Sequence, residues 1–142
     1  MLTKTYYKKT CYSVLLFLLA SSFFYSCDGG DSKMNGYWKL TSIKLPDQTE
    51  LAVDSQFYAF QKEEVFSFTR LLSSKQSDIC YGYADYPDKE HVHIVMDQNH
   101  TSLDFPTVSH WNSFEALFEI KTNTTASLIL EKGDTLFILK KF

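Results

Sequence analysis

The chain has 142 residues, the length of one domain, with 16% aromatic residues and a net charge of −3. The charge is uneven: residues 1–26 hold Lys4, Lys8 and Lys9 and no acid, whereas from Cys27 onward eleven Lys and Arg face seventeen Asp and Glu, a net of −6. An acidic body with one arginine, Arg70, argues against nucleic-acid binding, which needs clustered cations, and three cysteines (Cys11, Cys27, Cys80) make no disulfide framework.

In chain order, the basic opening MLTKTYYKKT is followed by CYSVLLFLLASSFFYS, a run without any charge. A basic stretch, an apolar stretch and a cleavage region form the pattern of a secretory signal, expected over residues 1–26. Phe24-Tyr25-Ser26-Cys27 resembles a lipobox, the site where a bacterial lipoprotein is acylated on Cys and cut just before it. Phe24 and Tyr25 stand where Leu and a small residue are usual. The resemblance implies that Cys27 is the lipid-attachment residue and the first residue of the mature chain. Two acyl chains give the stable membrane anchoring that one does not. The expected location is the cell envelope, at the outer membrane. Cys27 to Asn35, rich in Gly, Asp and Ser, reads as a flexible tether.

From Gly36 the pattern is strand after strand. Tyr37 to Leu45 alternates, Pro46-Asp47-Gln48 signals a turn, and Phe57 to Gln61 is the next strand. Val65 to Leu71 puts Phe66, Phe68 and Arg70 on one face, with the charged Lys62-Glu63-Glu64 as the preceding hairpin tip. Ile79 to Ala84 sets Ile79, Tyr81 and Tyr83 against small residues, the larger set being expected inside. His91 to Met96 aligns Val92, Ile94 and Met96. Phe105-Pro106 interrupts the next stretch, and Ser109 is placed to cap a short helical turn near residues 107–113. Phe114 to Lys121, Ser127 to Leu130 and Thr135 to Lys140 complete the set, with Lys132-Gly133-Asp134 as a tight turn. About eight short strands and no long helical pattern predict an all-β fold, a small antiparallel barrel or sandwich over residues 36–142.

Gly36-Tyr37-Trp38-Lys39-Leu40 matches the G-x-W that opens the first strand of lipocalin-type barrels, and the Gly133 to Phe142 ending is similar to their last strand. The chain thus resembles the small lipocalin-like lipoproteins of Gram-negative bacteria. The resemblance implies an eight-stranded barrel in which a cation from the last strand packs over the motif Trp. The family often has Arg there; here Lys140 or Lys141 is expected to lay its stem on Trp38.

Chemistry is sparse. His91 and His93, with Asp97, His100 or His110, are the best metal candidates, but no third ligand has diagnostic spacing and solvated histidines are the favoured reading. Cys80 beside Gly82 and Ala84 reads as a small buried residue rather than a nucleophile. Ser109-His110 lacks the Gly-x-Ser-x-Gly turn of a hydrolase, and Asp85, Asp88 and Glu90 read as a solvated loop. No phosphate loop or dinucleotide fingerprint is present, so no cofactor and no enzymatic activity are expected. The aromatics are the rich feature. Trp38, Phe57, Phe66, Phe68, Tyr81, Tyr83, Phe114 and Phe118 are the candidate ligand-binding residues, mostly on faces expected to point inward. Two readings stay open: an apolar ligand at the barrel mouth, or a filled core whose surface binds an envelope protein. A third, an integral outer-membrane barrel, rests on the terminal Phe142 and requires an outward apolar band.

Overall fold

The computed structural model describes residues 34–142. The signal segment 1–26, Cys27 and the tether up to residue 33 lie outside the described residues. Nine strands form one antiparallel sheet: β1 (Gly36–Lys44), β2 (Glu50–Ala52), β3 (Gln56–Phe60), β4 (Val65–Ser73), β5 (Gln76–Asp85), β6 (His91–Met96), β7 (Glu115–Asn123), β8 (Ser127–Lys132) and β9 (Thr135–Lys141). A single α-helical turn, α1 (Phe105–Val108), lies between β6 and β7.

The sheet closes because β1 pairs with β3 on one edge and with β9 on the other. Eight strands, β1 and β3 to β9, therefore make a barrel with no open edge, as predicted. The ninth, β2, was not evident from its three-residue pattern. It pairs with β1 at Ser42–Lys44, beyond the Gly36–Lys39 stretch that β3 occupies. Closure satisfies the backbone groups that an open apolar sheet would leave unpaired. β1 shifts register against β9 between Leu40 and Ser42, a bulge that interrupts the alternation read for Tyr37 to Leu45.

Alternation sends one face of each strand inward. Trp38, Leu40 and Ile43 of β1, Phe66 and Phe68 of β4, Val92, Ile94 and Met96 of β6, Ala116 and Phe118 of β7, Leu128 and Leu130 of β8, and Phe137 and Leu139 of β9 form one buried core. The outward positions of β7 are Glu115, Leu117, Glu119 and, past the register shift beyond Ile120, the Lys121 that bonds Glu119 and Glu131. On this strand the charged outward positions are the reverse of the pattern a lipid-facing wall needs. Among the described residues no helix is long and apolar enough to cross a membrane.

Met34 is fully buried in the core, and the Trp38 indole donates to its carbonyl at 2.7 Å, so core packing includes a residue ahead of β1. One boundary differs from the sequence reading. The helical turn lies at Phe105–Val108, earlier than 107–113, with Ser109 at its C-terminal end. Pro106 starts this turn instead of interrupting it, since its ring supplies a helical φ and its missing N–H has no partner to lose in a first turn.

Candidate functional site

The two ends of the barrel are closed by different chemistry. At the end where β1 begins, Lys141 holds its ammonium 4.3 Å from the Trp38 ring centroid and also donates to the Asn35 carbonyl. This is the lysine-over-tryptophan contact expected from the sequence. Gly36 makes room for it: its φ is +119°, and a Cβ there would lie 2.5 Å from the Lys141 ammonium. The G-x-W motif is thereby a physical unit, in which glycine admits the cation that covers the tryptophan.

At the other end the segment from Thr101 to Asn112 folds down as a plug. Phe105 and Trp111 are fully buried, their rings 5.1 Å apart edge to face. Trp111 is the hub of the interior, within 5.9 Å of the rings of Tyr58 and Phe66 and 5.1 Å of Phe118. Its indole N–H donates to the Tyr58 hydroxyl at 2.9 Å, and its carbonyl accepts from Lys132 at 2.8 Å. The backbone turns left-handed on both sides of it, at His110 and Asn112 (φ 60° each), which drives the indole inward. Burial pushes the Tyr58 phenol far above its ordinary range and raises the Cys80 thiol, so both are neutral groups of the core at physiological pH.

A polar row ties the plug to the rim. Gln56, Arg70 and Asp78 are cross-strand neighbours on β3, β4 and β5. The Gln56 amide donates to the Val108 carbonyl at 3.1 Å. Arg70 meets Asp104 at 3.2 Å and Asp78 at 3.4 Å. Asp104 is held below the usual carboxylate range by the Ser102 hydroxyl first and by Arg70 second.

The predicted site residues divide accordingly. Trp38, Phe66, Phe68 and Phe118 lie in the interior, and Phe114 is half-buried, stacked 5.9 Å from Phe105. Three do not face inward. Phe57 is on the outer wall, edge to face with Phe142 at 5.2 Å. Tyr81 and Tyr83 are 52% and 66% exposed. The cause is register: Cys80 pairs with inward Phe68 and Gly82 with inward Phe66, so the small residues of β5 line the interior and its tyrosines point out. Gly82 is required there, because a Cβ would come 2.4 Å from the Val95 carbonyl oxygen. Sequence reasoning missed Tyr58, Phe105 and Trp111. Tyr58 was legible as the inward partner of Phe68 once β3 and β4 were paired; the plug had no periodic signal.

His91 and His93 are on the outer wall, each paired with carboxylates: His91 with Asp88 at 2.8 Å, His93 with Asp85 at 3.2 Å and Glu115 at 2.7 Å. Among the described residues no group of three His, Cys, Asp or Glu has the geometry to hold a metal ion. A shallow outer groove lined by Thr41, Ser42, Glu50, Ala52, Ile138 and Lys140 lies on the β1–β9 wall, across the barrel from β6.

A closed eight-stranded antiparallel barrel, opened by a glycine-tryptophan strand and covered at that end by a cation from the last strand, defines the lipocalin-like class. The chain belongs to that family: residues 19–142 match the lipocalin-like domain. It is similar to the crystal structure of a lipocalin-like protein from Bacteroides uniformis, with a TM-score of 0.71 and 27% identity over 78% of this chain and 100% of that one. An uncharacterized protein from Bacteroides eggerthii shares the fold at a TM-score of 0.68 and 23% identity, over 77% of this chain and 99% of that one. No curated protein matches the chain.

Proposed function

We propose that this is a non-enzymatic, envelope-anchored lipoprotein, acylated on Cys27, whose barrel serves as a protein-interaction module. One observation carries the choice between ligand carrier and interaction module: the interior is occupied by the chain's own aromatic side chains, centred on Trp111. An eight-stranded barrel has an interior that either its own side chains fill or one small ligand occupies, so what stands inside decides between the two. Phe105 and Trp111 stand in the volume an apolar ligand would take, and the Arg70–Asp104 and Gln56–Val108 contacts keep them there. The work is then left to the surface.

The anchoring half of the reading rests on the order of basic stretch, apolar stretch, small residue and Cys at residues 1–27. Cys27→Ser is expected to abolish labelling by a radioactive fatty acid and to release the protein from membranes; a variant that still fractionates with membranes refutes acylation at this residue. For the barrel, titration with palmitate and with an anilinonaphthalene sulfonate probe is expected to leave Trp111 fluorescence unchanged. Saturable quenching with a one-to-one endpoint would restore the ligand-carrier reading.

A further inference from the structure

The outer wall of β4 to β7 carries an unusual set of side chains for a water-facing surface. Ile79, Tyr81 and Tyr83 project from β5 at 44%, 52% and 66% exposure, and Leu117 projects from β7 at 54%. They form one continuous patch because of the register. Tyr83 lies in a row with Val65 on β4, Val95 on β6 and Glu115 on β7. Asp85, His93 and Leu117 form the next row, and Ser67 faces Tyr81 on the other side. Exposed tyrosines grouped with aliphatic residues are the composition of an interface core, where rings supply large contact area with little side-chain entropy to lose.

Charge says what fits. Asp85 and Glu115 border the patch with side chains 58% and 64% exposed, and both touch His93. The outward positions of β4, β5 and β6 hold Val65, Ser67, Thr69, Leu71, Ser77, Ile79, Tyr81, Tyr83, Asp85, His91, His93 and Val95, with no Lys or Arg among them. Lys62, Lys75 and Lys89 lie in the connections at the ends of these strands, and Lys121 on β7 is bonded to Glu119 and Glu131 at 2.7 Å. The lysines Lys39 and Lys140 lie on the opposite wall, on β1 and β9. An apolar surface with an anionic rim repels anionic lipid headgroups and suits a cationic partner.

We propose that this wall is a docking surface for a protein segment that carries Lys or Arg beside apolar side chains, the apolar groups covering Tyr81, Tyr83 and Leu117 while the cations meet Asp85 and Glu115. The inference rests on the interaction-module reading and names the face and the partner chemistry. A phage-displayed random peptide library, panned on the mature chain at low and at moderate salt, tests it. Enriched peptides are expected to combine aromatic or aliphatic residues with Lys or Arg. Their binding is expected to fall roughly tenfold or more on Tyr81→Ser/Tyr83→Ser, as for interface hot spots. On Asp85→Asn/Glu115→Gln it is expected to fall and to lose its salt dependence. All four side chains point outward, so circular dichroism of the variants should match the parent. No enrichment, enrichment of acidic peptides, or binding that either double variant leaves unchanged overturns the proposal. So does sedimentation equilibrium showing a dimer that Tyr81→Ser/Tyr83→Ser abolishes, because a second copy then covers the wall. Ligand uptake sensed at Trp111 would defeat the filled-barrel reading without touching this face, so the two failures are distinguishable.

Discussion

Gly36 and Lys141 show how single side chains define an end of the barrel. The glycine holds a backbone conformation that L side chains rarely adopt, and its missing Cβ is the space the Lys141 ammonium uses. A flexible lysine can move, but moving it gives up both the Trp38 ring and the Asn35 carbonyl. Gly36→Ala is therefore expected to destabilise the fold by about 1–3 kcal/mol, the usual range for a strained backbone site. Urea denaturation reads this as a lower midpoint with unchanged slope; an unaltered midpoint would show that the contact carries no stability. Trp111→Phe isolates a second residue. It keeps most of the ring packing and removes the indole N–H that serves the buried Tyr58 hydroxyl, so a loss of about 1–3 kcal/mol is expected from the hydroxyl left without its donor.

Among the elements, the plug is tied to the rim by a surface ion pair. Its N-terminal side depends on Asp104, whose carboxyl is held below the ordinary value of 3.8 by Ser102 and Arg70. A depressed folded-state pKa stabilises the fold above the unfolded value of 3.8, and the contribution is lost as pH falls through the folded value. Acid titration is expected to loosen the plug below pH 3.8, seen as a red shift of Trp111 emission. Asp104→Asn removes this carboxyl's part of the acid dependence while retaining a group of similar shape. Equal acid profiles for the two proteins would place the lability elsewhere, the lowered carboxyls of Asp88 and Asp97 being the next candidates.

The whole molecule is joined by its ends. β1 and β9 pair over six register positions between residues 38 and 141, so barrel closure brings together almost the full length of the domain. Such non-local pairing slows folding, since loop-closure entropy is lost before the contacts form. Refolding of the mature chain is expected on the millisecond-to-second scale. Leu139→Ala, on the closing strand, is expected to cost about 2–5 kcal/mol at equilibrium, as for other large-to-small core changes. Stopped-flow refolding followed by Trp fluorescence would show whether that cost appears in the unfolding rate, as expected if closure is late, or in the folding rate.

Much of this architecture was legible from residue order, because strand alternation and turn chemistry act over a few neighbours. The eight barrel strands and the inward Phe66, Phe68, Val92, Ile94 and Phe118 follow from period-2 pattern, and the lysine over Trp38 from the resemblance to lipocalin-type barrels. Three features did not follow from local pattern. β2 is too short to show alternation, and only its pairing with β1 defines it. Pro106 reads equally as a break or a helix start, and the difference lies in whether Phe105 has a buried pocket to enter. The facing of β5 was decided by its partners: a strand with large residues on one side and small on the other has two equivalent orientations until a neighbour sets the register. Here inward Phe66 and Phe68, packed against Trp111 and Phe105 from the plug, pair with Gly82 and Cys80, so the small side of β5 faces inward. The sequence by itself determined a closed aromatic barrel of lipocalin-like type. Only tertiary packing decided that Phe105 and Trp111 enter the barrel interior and that Tyr81 and Tyr83 face the solvent, because volume inside a barrel is shared among all strands and no one strand encodes it.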